Sequence, residues 1–230
     1  MNLQHIDIMD VVFQLIAFLF AISVHESAHA WMANLRGDPT ARMLGRITLN
    51  PIKHIDLFGT LLLPAVAMLT HLPVLGWAKP TPVDPRNFKN PVLDDILTSV
   101  VGPISNFVVA SGAVVILILV KNTSPSGEQI VFGTLQGSSF AETNSLLVPF
   151  CKLVFELMVI NIVLGVFNLI PVPPLDGSHV LRHLLPAGML RIYDTLGTFG
   201  LLLLVFWGGG LLTRLINPVF ALFLGVLLRI

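Results

Sequence analysis

The chain has 230 residues, of which 54% are hydrophobic and only 11% are charged. A soluble domain carries about 25% charged residues, so this chain has too few to cover a water-facing surface and is predicted to be a polytopic membrane protein. Its 13 basic and 13 acidic residues balance to zero net charge, which argues against nucleic-acid binding, and the single Cys151 excludes an internal disulfide and a cysteine-based zinc site.

Five apolar stretches are long enough to be predicted as transmembrane helices. They are Ile8–Asn34, Leu93–Val120, Ser145–Ile170, Ile192–Trp207 and Leu211–Leu228. A sixth, Leu57–Leu72, is short for a span and has Pro64 at its middle, so we favour a re-entrant pair. The first stretch has no preceding Lys or Arg and no small-residue cleavage site, so we interpret it as a retained helix. The sequence predicts one all-α membrane domain over residues 1–230, with five to six transmembrane helices.

The first apolar stretch contains an H-E-x-x-H motif, His25-Glu26-Ser27-Ala28-His29. On a helix, His25 and His29 share one face, where two imidazoles can ligate one zinc ion. Glu26 is placed to take a proton from a zinc-bound water. A chance polar helix face is a poor explanation, because unpaired ionisable residues at membrane depth are costly. The motif predicts a hydrolase that works inside a membrane.

A catalytic zinc ion usually has three protein ligands and one open position. Asp176 is the best third candidate, because the prolines of Pro171–Pro174 must stop or unwind the preceding helix and let the chain turn back. A plain Asp-Gly turn is the alternative for this position. Asn168, at the end of the same helix, could donate to a developing oxyanion, or could cap its own helix.

Two segments between the first long apolar stretches are predicted to be short strands or strand-like loops. Ala41–Asn50 alternates roughly around Gly45, and Gly76–Val83 is punctuated by prolines. Because unpaired backbone is costly in lipid, these segments should pair with each other or line a wet cavity. An exposed edge beside a zinc site could hold a peptide substrate in an extended form.

Other polar residues have weaker patterns. His179 and His183 repeat the four-residue spacing without a carboxylate between them, and are predicted to face headgroups or water at a helix start. His54 could orient a zinc ligand or cap the following segment. Gly102-Pro-Ile-Ser-Asn106 predicts close helix packing, with Asn106 bonded to a neighbouring helix.

Three elements together resemble the site-2 protease family of intramembrane zinc metalloproteases. They are His25–His29, Gly102–Asn106 and Asn168–Gly177, in the family's order. The resemblance implies one zinc ion held by His25, His29 and Asp176, with Glu26 as the catalytic acid/base. It also implies that Asn168 helps to bind substrate or stabilise the oxyanion.

The resemblance further implies substrates that are transmembrane helices of other membrane proteins, cut in regulated proteolysis or in clearance of signal-peptide remnants. It implies a multi-pass protein of the cell membrane, with its site towards the cytoplasm. The positive charges agree, since an external N-terminus and a re-entrant sixth segment put most Lys and Arg on the cytoplasmic side. The chain resembles the minimal form of the family, without a PDZ domain or cystathionine-synthase-like domains.

Three alternatives remain open at this point. A membrane metal transporter or metal-binding chaperone would use the same histidines, but would not need Glu26 and would repeat its ligands along a pathway. A zinc protease of another lineage would take its third ligand from a downstream glutamate, such as Glu128, Glu142 or Glu156. An inactive structural relative would not keep all three ligands. The sequence leaves the substrate and the oligomeric state open.

Overall fold

The computed structural model describes residues 8–62, 78–137 and 145–229, without the side chains of Leu61 and Thr198. The helices in these ranges are α1 (Ile8–Arg36), α2 (Thr40–Met43), α3 (Pro91–Thr123), α4 (Pro125–Leu135), α5 (Leu147–Asn168), α6 (Asp176–Leu184), α7 (Ala187–Trp207) and α8 (Gly209–Arg229). Single helical turns are formed by Pro51–Lys53, Leu57–Leu62 and Pro85–Asn87. No β-strand occurs in the described ranges.

Four helices of the described chain, α1, α3, α5 and α8, are long and apolar enough to cross a membrane. The two halves of α7, Ala187–Gly197 and Phe199–Trp207, bend by 47° and make a fifth span if they are taken together. The prediction of an all-α polytopic membrane protein is confirmed. Of the predicted re-entrant segment only Leu57–Leu62 is described, as a π-helical turn, and residues 63–72 lie outside the described ranges.

The long helices pack around a core made by α1, α3 and α5, with α4 and α8 packed against α3 and α5. The larger apolar cluster joins side chains of α3, α4, α5 and α8, among them Leu117, Val131, Met158, Ile162 and Leu227. A smaller cluster joins the segment between α5 and α6 to α7, and consists of Ile170, Leu175 and Leu204. Helix α1 therefore packs on α3 and α5, whereas Leu175, directly before α6, lies in the separate smaller cluster.

The end of α1 is determined by Gly37, which has a φ of 116°. Its amide bonds to the carbonyl of Asn34 and that of Asp38 bonds to Ala33, the pair of bonds that closes a helix through a left-handed glycine. A side chain at Gly37 would also lie 2.9 Å from the carbonyl oxygen of Asn87. The chain therefore leaves α1 in a fixed direction, towards the segment that precedes α3.

Of the two predictions for these segments, short strands are wrong in the part of the chain that the structure describes, and residues 78–83 form a loop instead. Thr40–Met43 forms α2, and Gly45 then has a φ of 66°, which extended backbone cannot accommodate. Residues 78–83 have no regular structure, because Pro80 and Pro82 have no amide hydrogen to donate to a ladder. The two segments nevertheless meet, since the Arg46 guanidinium donates to the carbonyl of Pro80 at 3.2 Å.

Helices α1 and α3 approach each other closely at Gly102, which lies against the rings of His25 and His29. A Cβ atom at this position would lie 2.5 Å from Cε1 of His29 and 2.7 Å from Cε1 of His25. Real Cβ atoms do not come so close to neighbouring atoms, so any side chain here would displace the two rings or push the helices apart. The glycine of the Gly102–Asn106 motif is therefore required by packing, as predicted.

We expect Gly102→Ala to lower the free energy of unfolding by about 1–3 kcal/mol, the usual cost of overpacking a buried site. Gly112→Ala is the matched control on the same helix, because a Cβ there meets nothing within 4 Å. Thermal unfolding of the purified protein in detergent measures both. Equal stability of the two variants would contradict the packing assignment.

Asp38 joins the end of α1 to the segment before α3. Its buried carboxylate accepts hydrogen bonds from the backbone and hydroxyl of Thr40, from the amide nitrogen of Asp84 at 2.8 Å and from Nδ2 of Asn87 at 2.9 Å. Burial raises the pKa of the Asp38 carboxyl, but these hydrogen bonds outweigh it and hold that pKa below its ordinary value.

A lowered pKa in the folded state means that Asp38 stabilises the fold above its unfolded-state pKa of about 3.9, and that this contribution disappears as the pH falls through the folded value. We therefore expect Asp38→Asn to destabilise the protein at neutral pH by about 1–3 kcal/mol, because the new amide opposes an N–H donor. The difference from the parent should shrink below about pH 4. Chemical denaturation in detergent at several pH values measures it, and a difference independent of pH would contradict this role.

Candidate metal centre

The structure brings together His25 and His29 on α1 with Asp176, the first residue of α6. The Nε2 atoms of the two histidines are 3.0 Å apart. Oδ2 of Asp176 lies 3.1 Å from Nε2 of His25 and 3.4 Å from Nε2 of His29. Both histidines are buried, with 7% and 8% of their surface exposed. These are the three predicted metal ligands, and their ligand atoms all lie within 4.8 Å of one another.

The other ring nitrogen of each histidine has a partner that can only accept. Nδ1 of His29 lies 2.6 Å from the carbonyl oxygen of Thr98, so this nitrogen carries the proton. Nδ1 of His25 lies 2.6 Å from Oδ1 of Asn106, whose Nδ2 donates to Asn161 and so fixes the amide orientation. In its neutral form each imidazole therefore presents an Nε2 lone pair to the centre.

The two Nε2 atoms and one carboxylate oxygen thus face one another at the centre. Oδ2 of Asp176 is buried and has no hydrogen-bond partner among the described residues. Ligand atoms about 2 Å from a tetrahedral ion lie about 3.3 Å apart, and two imidazoles with one carboxylate are a donor set that zinc accepts. The residues present therefore fit a zinc ion.

Glu26 is held by Thr81, which sequence reasoning did not single out. Oε2 of Glu26 accepts from the amide nitrogen of Thr81 at 2.8 Å and lies 2.7 Å from its hydroxyl oxygen. The same hydroxyl lies 3.0 Å from the backbone carbonyl of Glu26. These contacts fix one carboxylate oxygen beside the histidine pair. No sequence signal paired these residues, because 55 positions separate them.

A set of hydrogen bonds holds the segment that contains Thr81 against α1. The buried Arg46 donates to the carbonyls of Lys53 and Pro80, and Lys79 donates its amide hydrogen to the carbonyl of His54 at 2.8 Å. His54 donates from Nε2 to the carbonyl of Thr48 at 2.8 Å. His54 therefore supports the loop, and its described contacts do not include a candidate ligand.

The segment between α5 and α6 presents Asp176. The helix stops at Asn168 and restarts at Asp176, so the prolines interrupt it as predicted. Tyr193 of α7 donates to the carbonyl of Pro171 at 3.0 Å and lies 3.3 Å from that of Ser178. The tyrosine thus holds both sides of the interruption.

A second set of contacts ties α6 to α3. His183 lies 2.8 Å and His179 3.2 Å from Oδ2 of Asp95, a partner that the sequence did not predict for them. The hydrogen bond to Asp95 raises the pKa of His179. These histidines therefore serve to anchor the helix that begins with Asp176.

The structure does not bring Asn168 into hydrogen-bond contact with the other predicted site residues. Its Nδ2 donates to the carbonyl of Leu164 at 3.1 Å, one turn back on its own helix. This contact is the alternative that the sequence left open. A role in catalysis for Asn168 stays a prediction.

Comparisons with known proteins agree with these observations. Peptidase family M50 matches residues 13–206, a stretch that contains the three motifs. A protein of Bacillus subtilis (strain 168) named "Putative zinc metalloprotease YwhC" is 37% identical over 174 residues, which cover 76% of this chain and 69% of that protein. No solved structure matches the chain. The chain therefore belongs to peptidase family M50, the site-2 protease family, and is a metalloprotease.

Proposed function

We propose that this protein is a zinc-dependent intramembrane endopeptidase that hydrolyses peptide bonds within or near transmembrane segments of other membrane proteins. The observation that carries this proposal is the convergence of His25, His29 and Asp176 on a buried face of α1, with Glu26 next to the first histidine. A centre inside an apolar helix bundle suits a substrate that itself lies in the bilayer.

His25, His29 and Asp176 would hold one zinc ion per chain. When bound, zinc lowers the pKa of its water from that of bulk water to about 7 and polarises the scissile carbonyl. The Nδ1–H groups of the two histidines keep their Nε2 atoms directed at the centre through Asn106 and Thr98. The side chains are therefore already oriented before substrate arrives.

Glu26 is the general base of the proposed reaction. Its carboxylate takes a proton from the attacking water and returns it to the nitrogen of the leaving amine. Thr81 keeps Oε2 engaged through its amide, so the proton would pass through Oε1. Asn168 has one hydrogen of its amide bonded to the carbonyl of Leu164, and the second hydrogen could donate to the developing oxyanion.

The substrate class and the orientation of the protein are both proposed from its place in the bilayer. A peptide bond within a helix is shielded by its own turn, so the substrate helix must unwind near Glu26 before attack. We propose a cell-membrane location with the centre towards the cytoplasm, because Arg36, Arg42, Arg46 and Lys53 follow the end of the helix that carries it. The lipid bilayer and membrane-protein substrates are the expected partners.

A metal transporter is the weaker reading of the same histidines. Within the described residues, one group of His, Cys, Asp or Glu side chains meets the distance required of a metal site. A transport path would repeat such groups along the membrane normal. Glu26, which is held in place by Thr81, has a use in hydrolysis and none in transport.

We expect Glu26→Gln to reduce cleavage by at least about a hundredfold, because the amide cannot accept the proton. Zinc content should stay at the parent level, since Glu26 is not among the ligands. Cleavage of a single-span fusion protein in proteoliposomes and metal analysis of the same sample measure both. Glu128→Gln, an exposed position on α4, is the matched control. Parent-level cleavage by Glu26→Gln would exclude the base assignment.

Asp176→Asn should weaken zinc binding by at least about tenfold, because a neutral amide replaces the anionic ligand. Asp194→Asn is the control, since that carboxylate is exposed and pairs with Arg182 at 3.0 Å. Zinc affinity is measured by competition with a chelator. An unchanged zinc affinity in Asp176→Asn would exclude this residue as a ligand. The third ligand would then have to be a downstream glutamate.

A further inference from the structure

A chain of buried amides connects the candidate metal centre to the far side of the helix core. Nδ1 of His25 lies 2.6 Å from Oδ1 of Asn106, and Nδ2 of Asn106 donates to Oδ1 of Asn161 at 2.8 Å. Nδ2 of Asn161 then donates to the backbone carbonyl of Leu157 at 2.7 Å. The chain crosses from α1 through α3 to α5, the three helices that form the core.

The direction of every hydrogen bond in this chain is set at its end. The carbonyl of Leu157 can only accept, so Asn161 must turn its NH₂ group towards it and its oxygen towards Asn106. Asn106 must then turn its own NH₂ towards Asn161 and its oxygen towards His25. An accepting oxygen at Nδ1 places the ring proton there and leaves the Nε2 lone pair for the metal.

Burial of the two amides makes the direction of these hydrogen bonds costly to reverse. Asn106 and Asn161 are both completely buried, so water cannot replace a lost partner. A reversed Asn106 amide would present its NH₂ to Nδ1 and favour a proton on Nε2, which would block ligation. The carbonyl of Ala21 lies 3.4 Å from Nδ2 of Asn106 and provides only a long second contact.

We propose that Asn161 is a positioning residue for the metal centre, which acts through Asn106 to keep His25 in the tautomer that ligates zinc. The inference rests on the proposed function, because it assumes that His25 is a zinc ligand. It adds a residue that lies in none of the three family motifs and does not touch the metal ligands. Residues one step beyond the ligands typically change metal affinity by about 10–100-fold, and we expect the lower end here.

The first test is the zinc affinity of Asn161→Leu in the full-length protein in detergent, measured by chelator competition. We expect a loss of about tenfold, together with a lower melting temperature, because Nδ2 of Asn106 loses its buried partner. Met158→Leu is the matched control, since Met158 is equally buried on the same helix but lies outside the amide chain. This control should keep the parent affinity.

The second test distinguishes action through Asn106 from a general packing effect. In an Asn106→Ala background, Asn161→Leu should cause no further loss of zinc affinity, because the link to His25 is already cut. The visible absorption of the cobalt(II)-substituted protein should differ from the parent in Asn161→Leu and match it in Met158→Leu.

Parent-level zinc affinity and an unchanged cobalt spectrum in Asn161→Leu would overturn the inference, and so would additive losses in the double variant. Both results would leave the proposed function intact. If His25→Ala binds zinc as tightly as the parent, the ligand assignment itself fails, and the proposed function falls together with the inference.

Discussion

Polar side chains inside the apolar helix core must find their partners within the protein, because lipid offers none. This constraint accounts for the arrangement of the polar groups on α1. Ser23 donates to the carbonyl of Leu19 one turn back at 2.6 Å, and His29 is bonded to the carbonyl of Thr98 on α3. Among the residues that the structure describes, the remaining atoms, Nε2 of both histidines, have each other and Asp176 as polar neighbours. These are therefore the polar atoms that a bound cation would satisfy.

The same constraint extends to the polar segments that follow α1. Arg46 and Asp38 are both buried, and their hydrogen bonds hold residues 80–87 against the end of α1. Glu26 is reached from this segment through Thr81. Regular strands are not required for the purpose, since a guanidinium and a carboxylate can satisfy several backbone groups at once. The loops are thus as specifically organised as the helices, although their order comes from side chains.

The family, the fold class and the three candidate ligands could be predicted because each depends on a local pattern. Apolar length predicts a span, four-residue spacing predicts one helix face, and Pro171 and Pro173 predict an interruption. The prediction of a strand in Ala41–Asn50 was wrong because Gly45 adopts a left-handed backbone, which the alternation of residue types does not reveal. Asn161 was overlooked although an amide in an apolar helix is itself a signal, since its meaning depends on which helix lies opposite. Long-range pairs of this kind have no periodicity to read.

The centre joins two parts of the molecule that are held in place by different sets of contacts. His25 and His29 are fixed by the packing of α1 on α3 and α5, whereas Asp176 depends on the small cluster around Leu175 and on the contacts of α6 with Asp95. A metal ion bound between them would link the two, and its binding free energy would then stabilise the position of α6. The amide chain behind His25 would act on one side of this link, and the contacts of α6 with Asp95 on the other.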